Sequence, residues 1–200
     1  MIDLASLEAT IKENRNFVFV KRGDGEQACM EGQVGQNCDG HPYTTSLGDA
    51  LRDAYAYLKD KAIIVEFADQ VNYNVLLHRT DSDLAKVSHF YKTIANSERL
   101  KVMVAPERLA IVARLLNAEH VVVPDIDAWS QVNEIFDRIP KIRNAVYMFC
   151  AGMPAKVLIA RMLEQLSDAT YIDCGSAFDP AIYTTRTYQI TQTVFWKLYE

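Results

Sequence analysis

The chain has 200 residues, half of them hydrophobic and 24% charged, which is enough for one domain with a real core. A net charge of −5 gives no global attraction to nucleic acid or anionic membranes, and four scattered cysteines, Cys29, Cys38, Cys150 and Cys174, do not make a disulfide framework. No apolar run approaches the roughly 20 residues a bilayer-spanning helix needs, and the first segment, MIDLASLEATIKEN, lacks the basic and apolar regions of a signal peptide, so a cytoplasmic protein with reduced thiols is expected.

In chain order, the first strand signal is FVFV (17–20), a short β-branched and aromatic run that leads straight into KRGDGEQA. The stretch 29–46, CMEGQVGQNCDGHPYTTS, has no periodicity and reads as a long functional loop. A helix pattern follows over LGDALRDAYAYLKD, then a strand over AIIVEF (62–67) and a helix over SDLAKVSHFYKTIANS. KVMVA (101–105), HVVVP (120–124), AVYMF (145–149) and TYIDC (170–174) read as four more strands, separated by the helical patterns PERLAIVARLLN, WSQVNEIFDRI and PAKVLIARMLEQLSD. Pro106 and Pro154 open two of those helices, where a missing N–H costs nothing. The tail, 178–200, does not resolve by periodicity. Its Phe195, Trp196 and Tyr199 complete a core, close over a ligand or bury a contact in a homo-oligomer.

Strands alternating with helices predict one α/β domain over 1–200, Rossmann-like, with a mostly parallel sheet flanked by helices. Ligands of such folds sit outside the carboxyl ends of the strands. That rule gathers residues 22–26, 66–69, 150–156 and 173–179.

Gly23-Asp24-Gly25-Glu26-Gln27-Ala28 fits the G-x-G-x-x-A turn of an NAD(P)-dependent oxidoreductase. That reading wants a second strand ending in an acid about 20 residues on, where this chain has a loop. It also sets Asp24 and Glu26 against a pyrophosphate, and like charges repel. A divalent cation, Mg²⁺ or Mn²⁺, resolves the conflict: Asp-x-Glu with a small Gly between can place two carboxylates near one ion that takes its other ligands from phosphate. Arg22 then holds a phosphate oxygen or orients a carboxylate. Gly-Asp-Gly is also ordinary turn chemistry.

Three further clusters carry polar chemistry. In CAGMPAK, Gly152 makes a strand-to-helix turn whose amides and Lys156 suit a diphosphate; a plain tight turn reads equally well. In YIDCGSAFDP, Asp173, Ser176 and Asp179 orient ribose or sugar hydroxyls, or cap the next turn. In NCDGH, Asp39 or His41 suits a general base for an acceptor hydroxyl, alongside a turn-and-surface reading. Glu66 reads as an acceptor group or a solvated strand end. Cys29, Cys38 and His41 match no standard zinc spacing, and His78, His89 and His120, in separate segments, read as packing or surface residues.

FVFVKRGDGE resembles the R-[FY]-G-D-G-E opening of the GT-D glycosyltransferases, a family first described as a domain of unknown function. NCDGHPYTTSLGDAL and MFCAGMPAKVLIARMLEQLSDATYIDCGSAFDP are similar to its later blocks, the Gly-x-x-x-Lys turn and the Asp-x-Gly-Ser-x-x-Asp-Pro segment. The match runs in order over 17–180; Lys21 departs from it, where the family often has an apolar residue. The resemblance implies a GT-D type domain, a nucleotide-sugar donor (a UDP-sugar above all) and a divalent metal at Asp24 and Glu26. It also favours the diphosphate reading of Gly152 and Lys156; beside it, the residue chemistry above offers Arg22, Gly23, Gly25, Asp173, Ser176 and Asp179 as candidates on the donor side and Asp39, His41 and Glu66 as candidate catalytic groups on the acceptor side. The acceptor is then a hydroxyl of a glycan, a glycoprotein, a lipid-linked sugar or a modified nucleic-acid base. A nucleotide-binding module without transfer activity is the different-class alternative.

Overall fold

Each short β-branched or aromatic run forms one strand of a six-stranded sheet in the computed structural model, which describes residues 2–38, 40–182 and 190–200. The chain runs α1 (Leu4–Lys12), β1 (Val18–Arg22), α2 (Asp24–Met30), α3 (Thr45–Leu58), β2 (Ile63–Glu66), α4 (Gln70–Tyr73), α5 (Leu84–Asn96) and β3 (Lys101–Pro106). It continues through α6 (Ala110–Leu115), β4 (Glu119–Val123), α7 (Val132–Arg138), β5 (Val146–Phe149), α8 (Pro154–Gln165), β6 (Thr170–Asp173) and α9 (Gln192–Lys197). The strand order is β2-β1-β6-β5-β3-β4, and every neighbouring pair is parallel. The expected mostly parallel sheet is therefore wholly parallel.

The strand period of two sorts the side chains into two cores. Val18 and Val20, Val102 and Val104, Tyr147 and Phe149 pack with α3, α7 and α8. Phe19, Met103 and Ala105, Val146 and Met148 pack with α1, α5, α6 and α9 on the other face. Tyr147 and Tyr171 stack at 5.2 Å in the first core, and each hydroxyl is satisfied by backbone: Tyr147 donates to Pro140 O at 2.7 Å and Tyr171 to Leu166 O at 2.6 Å. Among the described residues no helix is long and apolar enough to cross a membrane.

Several boundaries differ from the sequence reading. The irregular stretch begins later, because residues 24–30 form α2 immediately after β1. Pro106 ends β3 rather than opening a helix, and a short 3₁₀ turn, Glu107–Leu109, precedes α6. Pro154 does occupy the first position of α8. The N-terminal amphipathic segment is helix α1, capped by Asp3, whose carboxylate accepts from Ala5 N at 3.1 Å. In the tail, α9 buries Phe195 completely, so this aromatic completes a core, while residues 183–189 lie outside the described residues.

Connections leave β1 and β5 toward the first face and β2, β3 and β6 toward the second. Neighbouring strands that part in this way open a crevice at their carboxyl ends. The α2–α3 contact that frames one wall depends on Gly48, where an added Cβ would meet Cys29 O at 2.5 Å. Gly48→Ala is expected to destabilise the fold by about 1–3 kcal/mol through overpacking, although Ala is the better helix former by roughly 1 kcal/mol; urea unfolding measures it.

Candidate functional site

The segments that follow all six strands line a single crevice of about 520 Å³, within the size range of small-molecule sites. Its floor is built from charge. Lys156, on the first turn of α8, places Nζ 2.6 Å from Glu26 Oε1 and 3.1 Å from Asp173 Oδ2. Asp173, fully buried at the end of β6, also accepts from Lys21 N at 3.1 Å through Oδ2 and from Gly175 N at 3.1 Å through Oδ1. The Lys21 ammonium, buried at the end of β1, donates to Cys174 O at 3.0 Å. Two lysines and two carboxylates thus form a buried, charge-balanced network. Burial alone would lower the Lys156 ammonium, but Asp173 and Glu26 outweigh it and hold the group above its usual range. Lys21 goes the other way: burial, offset only in part by Asp173, lowers it.

Backbone geometry lets these groups approach. Glu26 reaches back so that Oε2 accepts from Gly23 N at 3.0 Å. A Cβ at position 23 would stand 2.6 Å from that oxygen and 2.8 Å from the Tyr73 hydroxyl. Gly175 has φ +51°, and a Cβ there would meet Lys21 Nζ at 2.5 Å. Tyr73 is pushed well up by burial first and by Glu26 next, so it stays a neutral phenol.

Asp24 faces the other way. It lies on the crevice, exposed, and among the described residues its Oδ1 accepts only from Gly25 N, at 2.9 Å. Positions i and i+2 of a helix do not share a face, so the first turn of α2 turns Glu26 inward and Asp24 outward. This differs from the expectation of two carboxylates converging from a turn. A divalent ion would fit here in one form: Asp24 would supply a protein carboxylate, with phosphate and water as the remaining ligands that Mg²⁺ and Mn²⁺ accept. A cage of protein ligands does not fit, because among the described residues no group of three or more His, Cys, Asp or Glu converges.

His41 enters from the loop between α2 and α3. Its N donates to Asn37 Oδ1 at 2.9 Å, and Asn37 N donates to His41 O at 2.9 Å. The ring packs on Gly152, whose φ is +62° and where a Cβ would stand 3.0 Å from Nε2. The ring is buried, and Nδ1 has no partner among the described residues. Burial, opposed by Asp127, lowers its pKa, so the imidazole is neutral at neutral pH.

Of the predicted site residues, the structure gathers Asp24, Gly25, Glu26, His41, Gly152, Lys156, Ser176 and Asp179 on the crevice, with Asp173 buried beneath it. Arg22 and Glu66 pair with each other at 3.4 Å and, like Gly23, do not line it. Asp39 lies outside the described residues. Cys29 is buried on α2 with Sγ on Thr44 O at 3.7 Å, while Cys38 is exposed, so these thiols and His41 are not gathered. Sequence reasoning missed Lys21, Tyr73, Arg79 and Arg108. Only Lys21 left a signal, a lysine at the end of an apolar strand. Arg108 sits 3.7 Å from Asp179 and also pairs with Asp125.

His78 supports the rim from behind. It is fully buried, with Nδ1 2.7 Å from Ala177 O and Nε2 3.0 Å from the Tyr199 hydroxyl, which fixes a neutral tautomer donating through Nδ1. It thereby ties the segment just after α9 to the loop that carries Ser176 and Asp179.

No protein-family model and no curated protein matches the chain. By structure it matches a selenomethionine-substituted structure of domain of unknown function 1792, with a TM-score of 0.65 at 16% identity over 98% of this chain and 87% of that one. A second match, described as showing that the highly conserved domain 1792 has a distinct glycosyltransferase fold, has a TM-score of 0.60 at 15% identity over the same shares. The chain therefore has the fold of domain 1792, a glycosyltransferase fold.

Two outcomes follow from the buried groups. Lys156→Met leaves Glu26 and Asp173 buried without their cation and is expected to cost about 3–5 kcal/mol in urea unfolding; adding Glu26→Gln recovers part of the loss. Burial also pushes His78 down to about 4 from its ordinary 6.5. The unfolded chain then takes up a proton below pH 6.5 that the folded chain refuses until about pH 4, so stability falls as pH falls through that window. The full effect is roughly 3 kcal/mol, and His78→Gln flattens the slope of stability against pH.

Proposed function

We propose that the protein is a glycosyltransferase that moves a sugar from a nucleotide-sugar donor, a UDP-sugar above all, to a hydroxyl acceptor. The fold supports the class. The observation that carries the reading further is the placing of Asp24: an exposed carboxylate at the carboxyl end of β1, on a crevice beneath which Lys156, Glu26 and Asp173 neutralise one another. Asp24 would hold a divalent cation, Mn²⁺ or Mg²⁺, which when bound supplies Lewis-acid stabilisation of the leaving diphosphate. Glu26 stands behind it, locked to Lys156, and keeps the first turn of α2 rigid.

His41 is the candidate base. Its imidazole is held neutral by burial and lines the crevice, so it can take the acceptor's hydroxyl proton as the oxygen attacks the anomeric carbon. Asp39 belongs to the same loop. Ser176 and Asp179, on the rim after β6, are the candidates for orienting donor hydroxyls, and Gly152 lets His41 close on the α8 turn. Holding donor and acceptor together supplies much of the remaining rate. The acceptor is a glycan, a glycoprotein, a lipid-linked sugar or a modified base. The net charge of −5 disfavours a large duplex footprint.

The test is release of nucleoside diphosphate from a panel of nucleotide-sugars, with and without Mn²⁺, beside NAD(P) binding. Metal-dependent turnover with one donor is expected. Asp24→Asn should lower kcat by about a hundredfold or more, and His41→Gln by about 10²–10⁴-fold. Metal-independent NAD(P) binding that survives Asp24→Asn would overturn the reading in favour of an oxidoreductase, and nucleotide binding without turnover would leave a binding module.

A further inference from the structure

The crevice carries four cationic side chains: Lys156 is paired with Glu26 and Asp173, Arg108 with Asp125 and Asp179, and the buried Lys21 ammonium donates to Cys174 O at 3.0 Å. Arg79 is the fourth. It lines the crevice from the segment after α4, and no carboxylate lies within ion-pair distance of it among the described residues. Its Nη1 donates to Asn74 Oδ1 at 3.1 Å, and buried Asn74 is held in turn by Nδ2 on Asp81 Oδ2 at 3.3 Å. Its Nε is buried and has no partner among the described residues.

That combination is specific. A guanidinium presents a fork of two parallel donors along its Nε–Nη2 edge, which matches two oxygens of a phosphate. Here Nη1, on the opposite edge, is the atom tied down, and the Nε–Nη2 edge makes no hydrogen bond among the described residues. An unsatisfied buried N–H is costly, and an anion removes that cost. The backbone that carries Arg79 is braced by the adjacent His78, whose ring is bonded to Ala177 O and to the Tyr199 hydroxyl. On the same crevice Asp24 is the mirror case, a carboxylate without a cationic partner among the described residues.

We propose that Arg79 binds the diphosphate of the nucleotide-sugar donor through its Nε–Nη2 edge and stays on it as it becomes the leaving group. This rests on the glycosyltransferase reading above. It makes Arg79, rather than Lys156, the mobile-anion site: the Lys156 ammonium is already shared between Glu26 and Asp173, whereas the charge of Arg79 is unspent.

The test is calorimetric titration of the full chain with UDP, GDP, ADP, UMP and uridine in the presence of Mn²⁺, using the parent protein, Arg79→Gln and Arg79→Lys, each checked for an unchanged melting transition. The expected result is that the preferred nucleoside diphosphate binds Arg79→Gln about tenfold to a hundredfold more weakly, the range of a charge-assisted pair. Arg79→Lys should recover part of that, and uridine should bind all three proteins alike. Equal diphosphate affinity in the parent protein and both variants overturns the role of Arg79 and leaves the glycosyltransferase reading standing. If no nucleoside diphosphate binds the parent protein, that reading fails and this one with it. Should Arg79→Gln fail to fold, Arg79→Lys decides alone: it keeps the charge but loses the fork, and undiminished diphosphate affinity in it overturns the bidentate contact.

Discussion

Lys156 reaches two carboxylates from different elements, Glu26 at 2.6 Å on α2 and Asp173 at 3.1 Å on β6, and the carboxyl end of the sheet is organised around that contact. Burying four charges is expensive, and such a cluster persists only when pairing and hydrogen bonds satisfy every member. Here they do. Asp173 accepts two backbone amides besides the ammonium, Glu26 accepts the Gly23 amide, and Lys21 is held by Cys174 O. The network draws β1, α2, β6 and α8 to one point. It fixes the turn after β1 and the start of α8, the two walls between which a ligand would lie.

The same contact divides the labour within Asp-x-Glu. Once α2 is a helix, residues two apart cannot share a face. Glu26 therefore serves the interior and Asp24 the crevice. Tight packing enforces this: Gly23 has no room for a side chain beside Glu26 and Tyr73, and Gly25 would bring a Cβ within 3.1 Å of Asn37 Cβ. Glycines in this motif are required by close approach of the helix start, the Tyr73 hydroxyl and the loop that carries His41.

Much of the architecture was legible in the chain. Six β-branched or aromatic runs are the six strands, because strands covered on both faces need continuous apolar character. Helices α3, α5 and α8 were legible from their 3.6-residue period. What was not legible has local causes. The seven-residue α2 follows Gly23 and opens on Asp24, Gly25 and Glu26, a composition that also makes turns. Pro106 suits both a strand end and a helix start. The likeness to domain 1792 is carried by fold, at 16% identity. Arg79 and Tyr73 had no motif around them, and Lys21 stood out only as a charge where an apolar residue was expected.

The sequence by itself determined which segments become strands and that the polar residues at 22–26, 150–156 and 173–179 fall at strand ends, because hydrophobic period and turn chemistry are local properties. Only the tertiary structure decided which of those charges are spent. Strand order places β6 between β1 and β5, which brings residues 21, 26, 156 and 173 within bonding distance across up to 152 positions of chain. That pairing withdraws Lys156 and Glu26 into the interior and leaves Asp24 and Arg79 facing the crevice. Burial and pairing depend on long-range contacts, and no local pattern encodes them.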